Sequence, residues 1–278
     1  MSGNQHGQDG LLSLQFRRRG ARTEVGRQET RAPLKVLRPF WLDDGRAVLQ
    51  IIGVGPGVLA GDHYTLNVHM EEGARVILLN QAATKIHSMP DGGSASLQAS
   101  FSLEDGAELE YYPGLNIPYP DAEFEQHLKV SLAKTSRFAT LERWSCGRAG
   151  EHKQYRRMRS WLKVQRVNRP LYADLTELVG RDLQPEGDDL AVLERRRQLA
   201  SGMSWWPGDS MALPESMLRP PDLSQPDVVT AGAFGPHGRY LRGFGMNGVT
   251  LNGLLSETLK TWRDHVGLAR CDFDRFVR

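Results

Sequence analysis

Cysteine is scarce in this sequence: the 278 residues include two, Cys146 and Cys271, which lie far apart. Two distant cysteines form no disulfide framework, which favours a reducing compartment. The polar N-terminal residues contain no apolar stretch of the kind found in a signal peptide. No apolar run is long enough to span a bilayer. We therefore expect a soluble protein of the cytoplasm, without a membrane partner.

A strong charge bias is also missing. The formal net charge is +2, and charged residues make up an ordinary 24% of the chain. This balance gives no reason to expect nucleic acid or a strongly acidic partner. Hydrophobic residues at 40% are sufficient for a sizeable core. The length fits either one large all-β domain or two ordinary domains.

The familiar catalytic motifs are absent. The chain has no Gly-x-Ser-x-Gly, P-loop, dinucleotide fingerprint or His-Glu-x-x-His motif. The glycine-rich loop from Gly53 to Gly61 precedes a strand, so it lacks the helix N-terminus that makes a phosphate cradle work. His63 and His69 would lie about 20 Å apart on one strand, too far to bind one ion. We expect neither an enzyme active site nor a high-affinity metal site.

The most informative stretch runs from Gly53 to Lys85 and reads GVGPGVLAGDHYTLNVHMEEGARVILLNQAATK. Its glycines allow backbone angles that are closed to other residues. Leu66, Val68 and Met70 then alternate with polar residues, which is typical of a half-buried strand. A turn and a second strand follow, and the stretch ends in a polar segment. The pattern is therefore loop, strand, turn, strand and polar surface element.

Turn-plus-strand units recur along the first half of the chain. They begin at Asp44-Gly45, Glu72-Gly73, Asp105-Gly106 and, less clearly, Lys134-Thr135. A spacing of roughly 30 residues lies in the range where repeated units stack and bury one another's apolar faces. A chain of ordinary hairpins in a sandwich would also place turns at regular intervals. Periodicity alone leaves both architectures open.

The segment GPGVLAGDHYTLNVHMEEGARVILLNQAATKIH resembles the characteristic region of the UreD (also called UreH) urease accessory proteins. In that family a glycine-rich turn ending in Gly-Asp precedes a strand pair that closes in Gln-Ala-Ala-Thr-Lys. The resemblance runs from about Arg31 to Leu178 and again from about Arg239 to Trp262. Shorter matches are PLKVLRPF, Pro113 with Ile117-Pro118-Tyr119, Glu142 with Gly147-Arg148, and YLRGFG.

The resemblance implies a mainly β, β-helix-like stack of sheets in a single domain spanning 11–278. Residues 1–10 should be disordered, because they are polar and without periodicity. An irregular excursion is expected at about 181–230, and a proline-broken loop at 111–122. Few helices are expected. One should lie near the C-terminus, where Leu251, Leu254, Leu255, Leu259, Trp262 and Val266 form an apolar stripe before Gly267.

The function that the resemblance implies is that of a non-catalytic scaffold in urease maturation. Such a protein binds apo-urease and the accessory proteins UreF and UreG, and it relays nickel toward the urease active site. GTP hydrolysis would belong to UreG, since this chain has no P-loop. Nickel in transit needs weak, exchangeable ligands rather than a closed site, so no tightly bound cofactor is expected.

Three carboxylates are candidates for an internal nickel passage, which the resemblance also implies. Asp62, Glu142 and Asp174 lie beside strand-forming residues and match carboxylate positions of the family. Buried carboxylates are costly unless they are paired, hydrogen-bonded or bound to a cation. Alternatively, Asp62 caps the glycine turn, and Glu142 and Asp174 pair with arginines such as Arg143 or Arg148. Cys146 is either a soft ligand or a buried structural residue.

A second group of candidates carries the family pattern or contacts a partner: Gly57, Gly61, Gln81, Thr84, Lys85, Gly147 and Arg148. Two other functions remain open. A β-solenoid can host a carbohydrate-active enzyme with paired carboxylates, here Glu142 and Asp174. The chain could also be an interaction module without nickel transit. A closed interior around the two carboxylates would argue against the enzyme, and an open groove would argue for it.

Overall fold

A computed structural model describes residues 7–146, 154–180, 196–207, 222, 224–271 and 273. In this part of the chain the structure is mainly β, with one long helix near the C-terminus. The elements are β1 (Asp9–Arg19), β2 (Arg22–Arg31), β3 (Leu34–Val36), β4 (Phe40–Trp41), β5 (Ala47–Gly53), β6 (His63–Met70), β7 (Arg75–Asn80), β8 (Thr84–Ile86), β9 (Ala95–Leu103), β10 (Glu108–Pro118), β11 (Glu123–Leu132), β12 (Arg137–Ser145), β13 (Arg157–Arg166), β14 (Arg169–Val179), β15 (Gln198–Trp205), β16 (Val228–Phe234), β17 (Gly238–Gly245) and α1 (Gly248–His265).

The strands form two sheets. The first sheet has the order β14-β13-β11-β9-β6-β1-β2, and the second has the order β16-β17-β15-β12-β10-β7-β5-β3. The chain alternates between them, since β6, β9 and β11 of the first sheet are followed by β7, β10 and β12 of the second. Neighbouring inner strands are parallel, whereas the outermost strands pair antiparallel. The expected β-helix-like stack is therefore confirmed.

The recurring turns explain why the coils stack in register. Gly73 N donates to Asp105 O at 3.0 Å. One coil further on, Thr135 N donates to Asp105 Oδ1 at 2.9 Å, and Gly106 N donates to Thr135 Oγ1 at 2.9 Å. Gly73 and Gly106 both have a left-handed backbone, with φ of 66° and 67°. The spacing that the sequence analysis identified is thus the repeat of the stack.

Side chains of alternating residues fill the space between the sheets. The predicted alternation in β6 is present, with Leu66, Val68 and Met70 buried and their neighbours more exposed. The interior contains two apolar clusters, one around Phe101 and Phe138 and the other around residues that include Trp144. Each fully buried large side chain contributes roughly 1.5–3 kcal/mol.

Helix α1 packs on the outer face of the second sheet. Asn247 caps its N-terminus by accepting hydrogen bonds from two backbone N–H groups. Leu251, Leu255 and Trp262 of the predicted apolar stripe are buried and Leu259 and Val266 are half-buried, whereas Leu254 is exposed. The chain turns at Gly267 with φ of 69°. Within the described residues, no helix combines the length and apolarity needed to cross a membrane.

Charged residues are buried beneath α1. Arg263 donates from the helix to Glu110, which also lies 3.4 Å from Arg46. Arg46 in turn pairs with Glu108 at 2.5 Å, and Tyr112 donates its hydroxyl to Glu110 at 3.0 Å. Arg46 and Glu110 are completely buried. This buried ion network joins the helix to β10 and to the turn that precedes β5.

One expectation about local structure is wrong. Residues 111–122 were expected to form a proline-broken loop, but β10 continues through Pro118. A bulge between Tyr111 and Gly114 removes Pro113 from the ladder, with Gly114 in a left-handed conformation at φ of 80°. Pro118 ends the strand, where its missing N–H group matters less.

Two domain boundaries also differ from expectation. β1 begins at Asp9, because its first residues pair with those of β6, so disorder does not extend to residue 10. The supposedly irregular 181–230 segment contains β15, which pairs with β12 along its whole length. β16 also begins within it, at Val228. Residues 1–6, 181–195 and most of 208–223 lie outside the described residues.

Candidate functional site

The glycine loop and the polar segment of the characteristic stretch pack against each other. Val58 N donates to Lys85 O at 2.8 Å, and His87 N donates to Val58 O at 2.9 Å. Gly57 has φ of 138°, and a Cβ atom there would lie 2.4 Å from Lys85 O. Only glycine therefore allows the loop to approach β8 this closely.

Asp62 fixes the end of the same loop. Its carboxylate accepts hydrogen bonds from Leu59 N at 2.8 Å, Gln8 N at 2.9 Å and the Tyr64 hydroxyl at 2.6 Å. The preceding Gly61 has φ of 81°. Asp62 thus makes the capping contacts that were the alternative to a role in a passage, and it lies apart from the other two carboxylates.

A cavity of about 280 Å³ lies behind this pair of segments. We call it the signature cavity. It is lined by the loop at 53–58, by residues 80–85, and by interior side chains that include Tyr111 and Gln126. Gln81 and Lys85 are exposed at its rim, whereas Thr84 is half-buried. The family residues therefore form a wall of a cavity as well as a surface.

Deeper in the stack, Glu142 occupies a polar layer between the two apolar clusters. Its Oε1 atom accepts from Gln126 and, at 3.3 Å, from Asn116 Nδ2. Its Oε2 atom accepts from Ser160 Oγ at 2.7 Å. All three donors are neutral. Among the described residues, no cationic side chain pairs with Glu142.

Asp174 lies in the same layer and has a cationic partner. Arg242 Nη2 contacts Asp174 Oδ1 at 2.5 Å, and Ser201 Oγ donates to Asp174 Oδ2 at 2.8 Å. Arg242 Nη1 also donates to Ser201 Oγ at 2.7 Å. The three side chains form a closed triangle of hydrogen bonds. The alternative pairing with Arg143 is not observed, because Arg143 donates to Asn252 on α1. The alternative pairing with Arg148 lies outside the described residues.

Strand register brings these residues together. In the second sheet Glu142 is paired with Ser201, which is paired with Arg242. In the first sheet Gln126 is paired with Ser160. The two rows project toward each other from opposite sheets, with Asp174 on β14 beside them. We call Gln126, Glu142, Ser160, Asp174, Ser201 and Arg242 the interior polar cluster.

The two carboxylates line a second, smaller cavity of about 30 Å³, which we call the carboxylate cavity. A space of this size holds about one water molecule. It shares four lining residues with the signature cavity: Leu97, Tyr111, Pro113 and Gln126. The two cavities are thus neighbours separated by shared side chains, and together they lead from the exposed family segment to Glu142 and Asp174.

Burial changes the acidity of Glu142. Removal from water raises its pKa from the ordinary value of 4.5 to about 7, and the charge of Asp174 acts in the same direction. Hydrogen bonds from Ser160 and Gln126 oppose the shift. A carboxylate with a strongly perturbed pKa that lines a cavity is a candidate functional residue.

This pKa predicts a pH-dependent stability. Between pH 4.5 and 7 the folded chain keeps a proton on Glu142 that the unfolded chain has lost, so the folding free energy weakens as pH rises through that window. The expected loss is on the order of 2–3 kcal/mol, and it is complete above pH 7. Urea unfolding of wild type and Glu142→Gln from pH 4.5 to 8 measures it, because the variant lacks this slope. Parallel curves for the two proteins would contradict the prediction.

Cys146 is not part of the two cavities. The Cys146 side chain packs against the apolar cluster that contains Trp144, and it does not line either cavity. Burial raises the pKa of its thiol to about 11, which disfavours the thiolate that a metal ligand requires. Gly147 and Arg148 lie outside the described residues.

Sequence reasoning missed Gln126, Ser160, Ser201 and Arg242. A signal for two of them existed. In β11 Gln126 follows Phe124 and precedes Leu128 in the inward-facing series, and in β13 Ser160 follows Met158 in the same way. A polar residue at an inward position of an alternating strand marks a polar interior. Ser201 and Arg242 lie in segments whose pairing the sequence does not specify.

The donor set suits weak binding of a divalent cation. Among the described residues no group of three or more His, Cys, Asp or Glu side chains could hold a metal. His63 and His69 make separate contacts with Ser96 and Ser102. The carboxylate cavity offers two carboxylates and neutral side-chain oxygens, a set from which a cation can leave again.

The two half-buried carboxylates line a small cavity and not an open groove, which argues against the carbohydrate-active enzyme. A glycosidase needs a sugar ring between its two carboxyl groups. The carboxylate cavity has room for about one water molecule, and Asp174 is already bound to Arg242. This alternative therefore has no support from the geometry.

The fold and the site define a β-helix-like stack that encloses a small carboxylate-lined cavity instead of an open groove. The family described as UreD urease accessory protein matches residues 8–273. The chain belongs to this family, which supports a role in urease maturation.

Individual relatives agree with this assignment. Urease accessory protein UreD 1 of Synechococcus sp. (strain JA-3-3Ab) is 36% identical over 200 residues, covering 70% of this chain and 73% of the relative. Urease accessory protein UreD of Deinococcus radiodurans is 35% identical over 205 residues, covering 73% and 72%. A Staphylococcus aureus relative is 40% identical over 104 residues, 37% of each chain. All three are named as accessory proteins rather than enzymes.

Proposed function

We propose that this chain is a non-catalytic scaffold in the cytoplasm that binds apo-urease, UreF and UreG and carries nickel to urease. Nickel would pass between the signature cavity and the carboxylate cavity, where Glu142 and Asp174 are its transient ligands. The observation that carries the proposal is the enclosure of two carboxylates in an interior cavity that adjoins the family segment. Asp62 and Cys146 take no part in this path.

The interior polar cluster has properties that a transit site requires. A cation entering a protein interior loses hydration, and carboxylate, amide and hydroxyl oxygens replace it. Two carboxylates without a third strong ligand attract the ion but do not trap it. The layer of polar residues also interrupts the apolar core between Phe138 and Trp144, at a cost in stability that a purely structural protein has no need to bear.

The family segment suits a contact with a partner. Gln81 and Lys85 are exposed beside the signature cavity, so a protein docked there would cover its opening. Nickel could then move between partners without crossing bulk water. GTP hydrolysis is assigned to UreG, because this chain has no P-loop.

The test is co-expression of the chain with apo-urease, UreF, UreG and nickel, with complex formation and nickel content of urease both measured. Glu142→Gln and Asp174→Asn should retain the complex but lower nickel incorporation at least tenfold, because each removes a charged ligand. Glu177→Gln is the matched control, since Glu177 lies on the same strand as Asp174 but pairs with Arg159 on the outside.

Two outcomes would redirect the proposal. If both cavity variants load urease as well as wild type does, the chain binds its partners without carrying nickel through this cavity. If wild type forms no complex, the scaffold role itself fails. Loss of nickel in Glu177→Gln as well would indicate a general defect in folding rather than an effect on the passage.

A further inference from the structure

We propose that Arg242 is a displaceable counter-ion that occupies Asp174 while the passage is empty, and that an entering divalent cation takes its place. The inference rests on the proposed function and adds a control element to it. We call this arrangement a latch. While the passage is empty, Arg242 neutralises the charge of Asp174, and the carboxylate cavity becomes a metal site only when the guanidinium leaves.

Arg242 is positioned to block the Asp174 carboxylate. It donates to Asp174 Oδ1 at 2.5 Å and to Ser201 Oγ at 2.7 Å, and Ser201 donates to the other Asp174 oxygen at 2.8 Å. Asp174 and Ser201 line the carboxylate cavity, whereas Arg242 does not. The guanidinium therefore lies behind the two residues that it holds, at the end of the cavity.

The two carboxylates are not equivalent. Among the described residues, the side chains that donate to Glu142 are the neutral Gln126, Asn116 and Ser160, which place no competing positive charge beside a cation in the cavity. The carboxylate of Asp174 is already paired with the positively charged guanidinium of Arg242. A divalent ion at Asp174 would stand beside the guanidinium, and like charges at such close range repel strongly where water is scarce. One cation must leave before the other can bind.

Arg242 has a route for leaving. Its side chain is 27% exposed, compared with 14% for Asp174, so the Arg242 side chain is the more accessible partner of the pair. It lies on β17, one strand from the edge of the second sheet, and faces β14 at the edge of the first. In the described part of the chain its one ion pair is with Asp174. Moving outward would exchange this ion pair, together with the hydrogen bonds from Arg242 Nη1 to Ser201 Oγ and to Leu241 O, for hydration.

The experiment measures nickel binding to the full-length chain by calorimetric titration with nickel chloride. Arg242→Met should bind nickel at least tenfold more tightly than wild type, because Asp174 is then free. Ser201→Ala should bind a few-fold more tightly, because it loosens the guanidinium and leaves both charges in place. Asp174→Asn combined with Arg242→Met should lose the gain, which assigns it to the Asp174 carboxylate.

A structural role for the pair predicts a different pattern. If Arg242→Met and Ser201→Ala both bind nickel no more tightly than wild type, the latch is overturned. If Arg242→Met does not fold, Ser201→Ala alone decides, since it removes only a hydroxyl. A gain in nickel affinity that survives in the double variant would also overturn the latch, because the metal would then be bound away from Asp174.

The result is separable from the test of the passage. Nickel delivery that depends on Asp174, together with unchanged affinity in Arg242→Met, rejects the latch and leaves the proposed function standing. Nickel delivery that depends on neither carboxylate rejects the proposed function, whatever the affinity of the arginine variant.

Discussion

Glu110→Gln should reduce the free energy of unfolding by about 3–5 kcal/mol, the usual cost of breaking a buried ion pair from one side. The substitution keeps the side-chain volume but removes the charge that faces Arg46 and Arg263. Arg263 would lose the carboxylate that it pairs with among the described residues, and Arg46 would keep Asp44 at 3.6 Å and Glu108, which already pairs with Arg137 at 2.7 Å. The loss arises from uncompensated buried charge rather than from a cavity.

The measurement is urea unfolding followed by intrinsic fluorescence. The matched control is Glu177→Gln, which removes the same charge from the pair with Arg159 on the outer face of the first sheet. That pair is exposed to water, so the control should unfold as wild type does. Equal midpoints for Glu110→Gln and the control would show that the network beneath α1 contributes nothing to the fold.

Gly57→Val should have a similarly large effect, with an expected loss of about 2–4 kcal/mol. A β-branched side chain is strained at φ of 138°, and its Cβ would lie 2.4 Å from Lys85 O. Relief of the clash requires the loop to move away from β8. That movement would break the hydrogen bond from Val58 N to Lys85 O and open the wall of the signature cavity.

Gly53→Val and Gly55→Val are the controls, because nothing lies within 4 Å of a Cβ built at either position. Thermal unfolding should place both near wild type and Gly57→Val well below them. Binding to urease partners should weaken in Gly57→Val alone, if the packed loop is what they contact. Uniform effects at all three glycines would indicate that the loop is merely sensitive to bulk.

The sequence predicted the parts of this molecule that are set by local chemistry. Alternation in β6 and the stripe of α1 follow from periods of two and 3.6 residues, which each segment carries by itself. The stacking of turns was visible as a spacing. Local patterns could not distinguish a β-sandwich from a β-helix-like stack, because both have the same alternation and turn spacing. The prediction of a stack came from the family resemblance.

The contacts of the interior polar cluster could not be predicted, because they depend on the register of strand pairing, which the sequence does not specify. Glu142 and Asp174 were both selected as candidates, yet nothing in the sequence indicated that they line one cavity. That follows from the pairing of Glu142 with Ser201 and of Leu162 with Asp174. The partner of Asp174 was expected among nearby arginines, whereas Arg242 is 68 residues away. The strand through Pro113 was missed because a bulge exempts that proline from the ladder.

The antiparallel outer strands have a consequence for the length of the molecule. A stack of parallel coils can in principle accept another coil at either end, and so could join copies into a fibre. Here the first sheet ends in β2 and β14, both of which run against their neighbours. β2 also presents arginine and glutamate side chains along its exposed edge. The charged side chains along β2 oppose the addition of another copy at that edge of the first sheet.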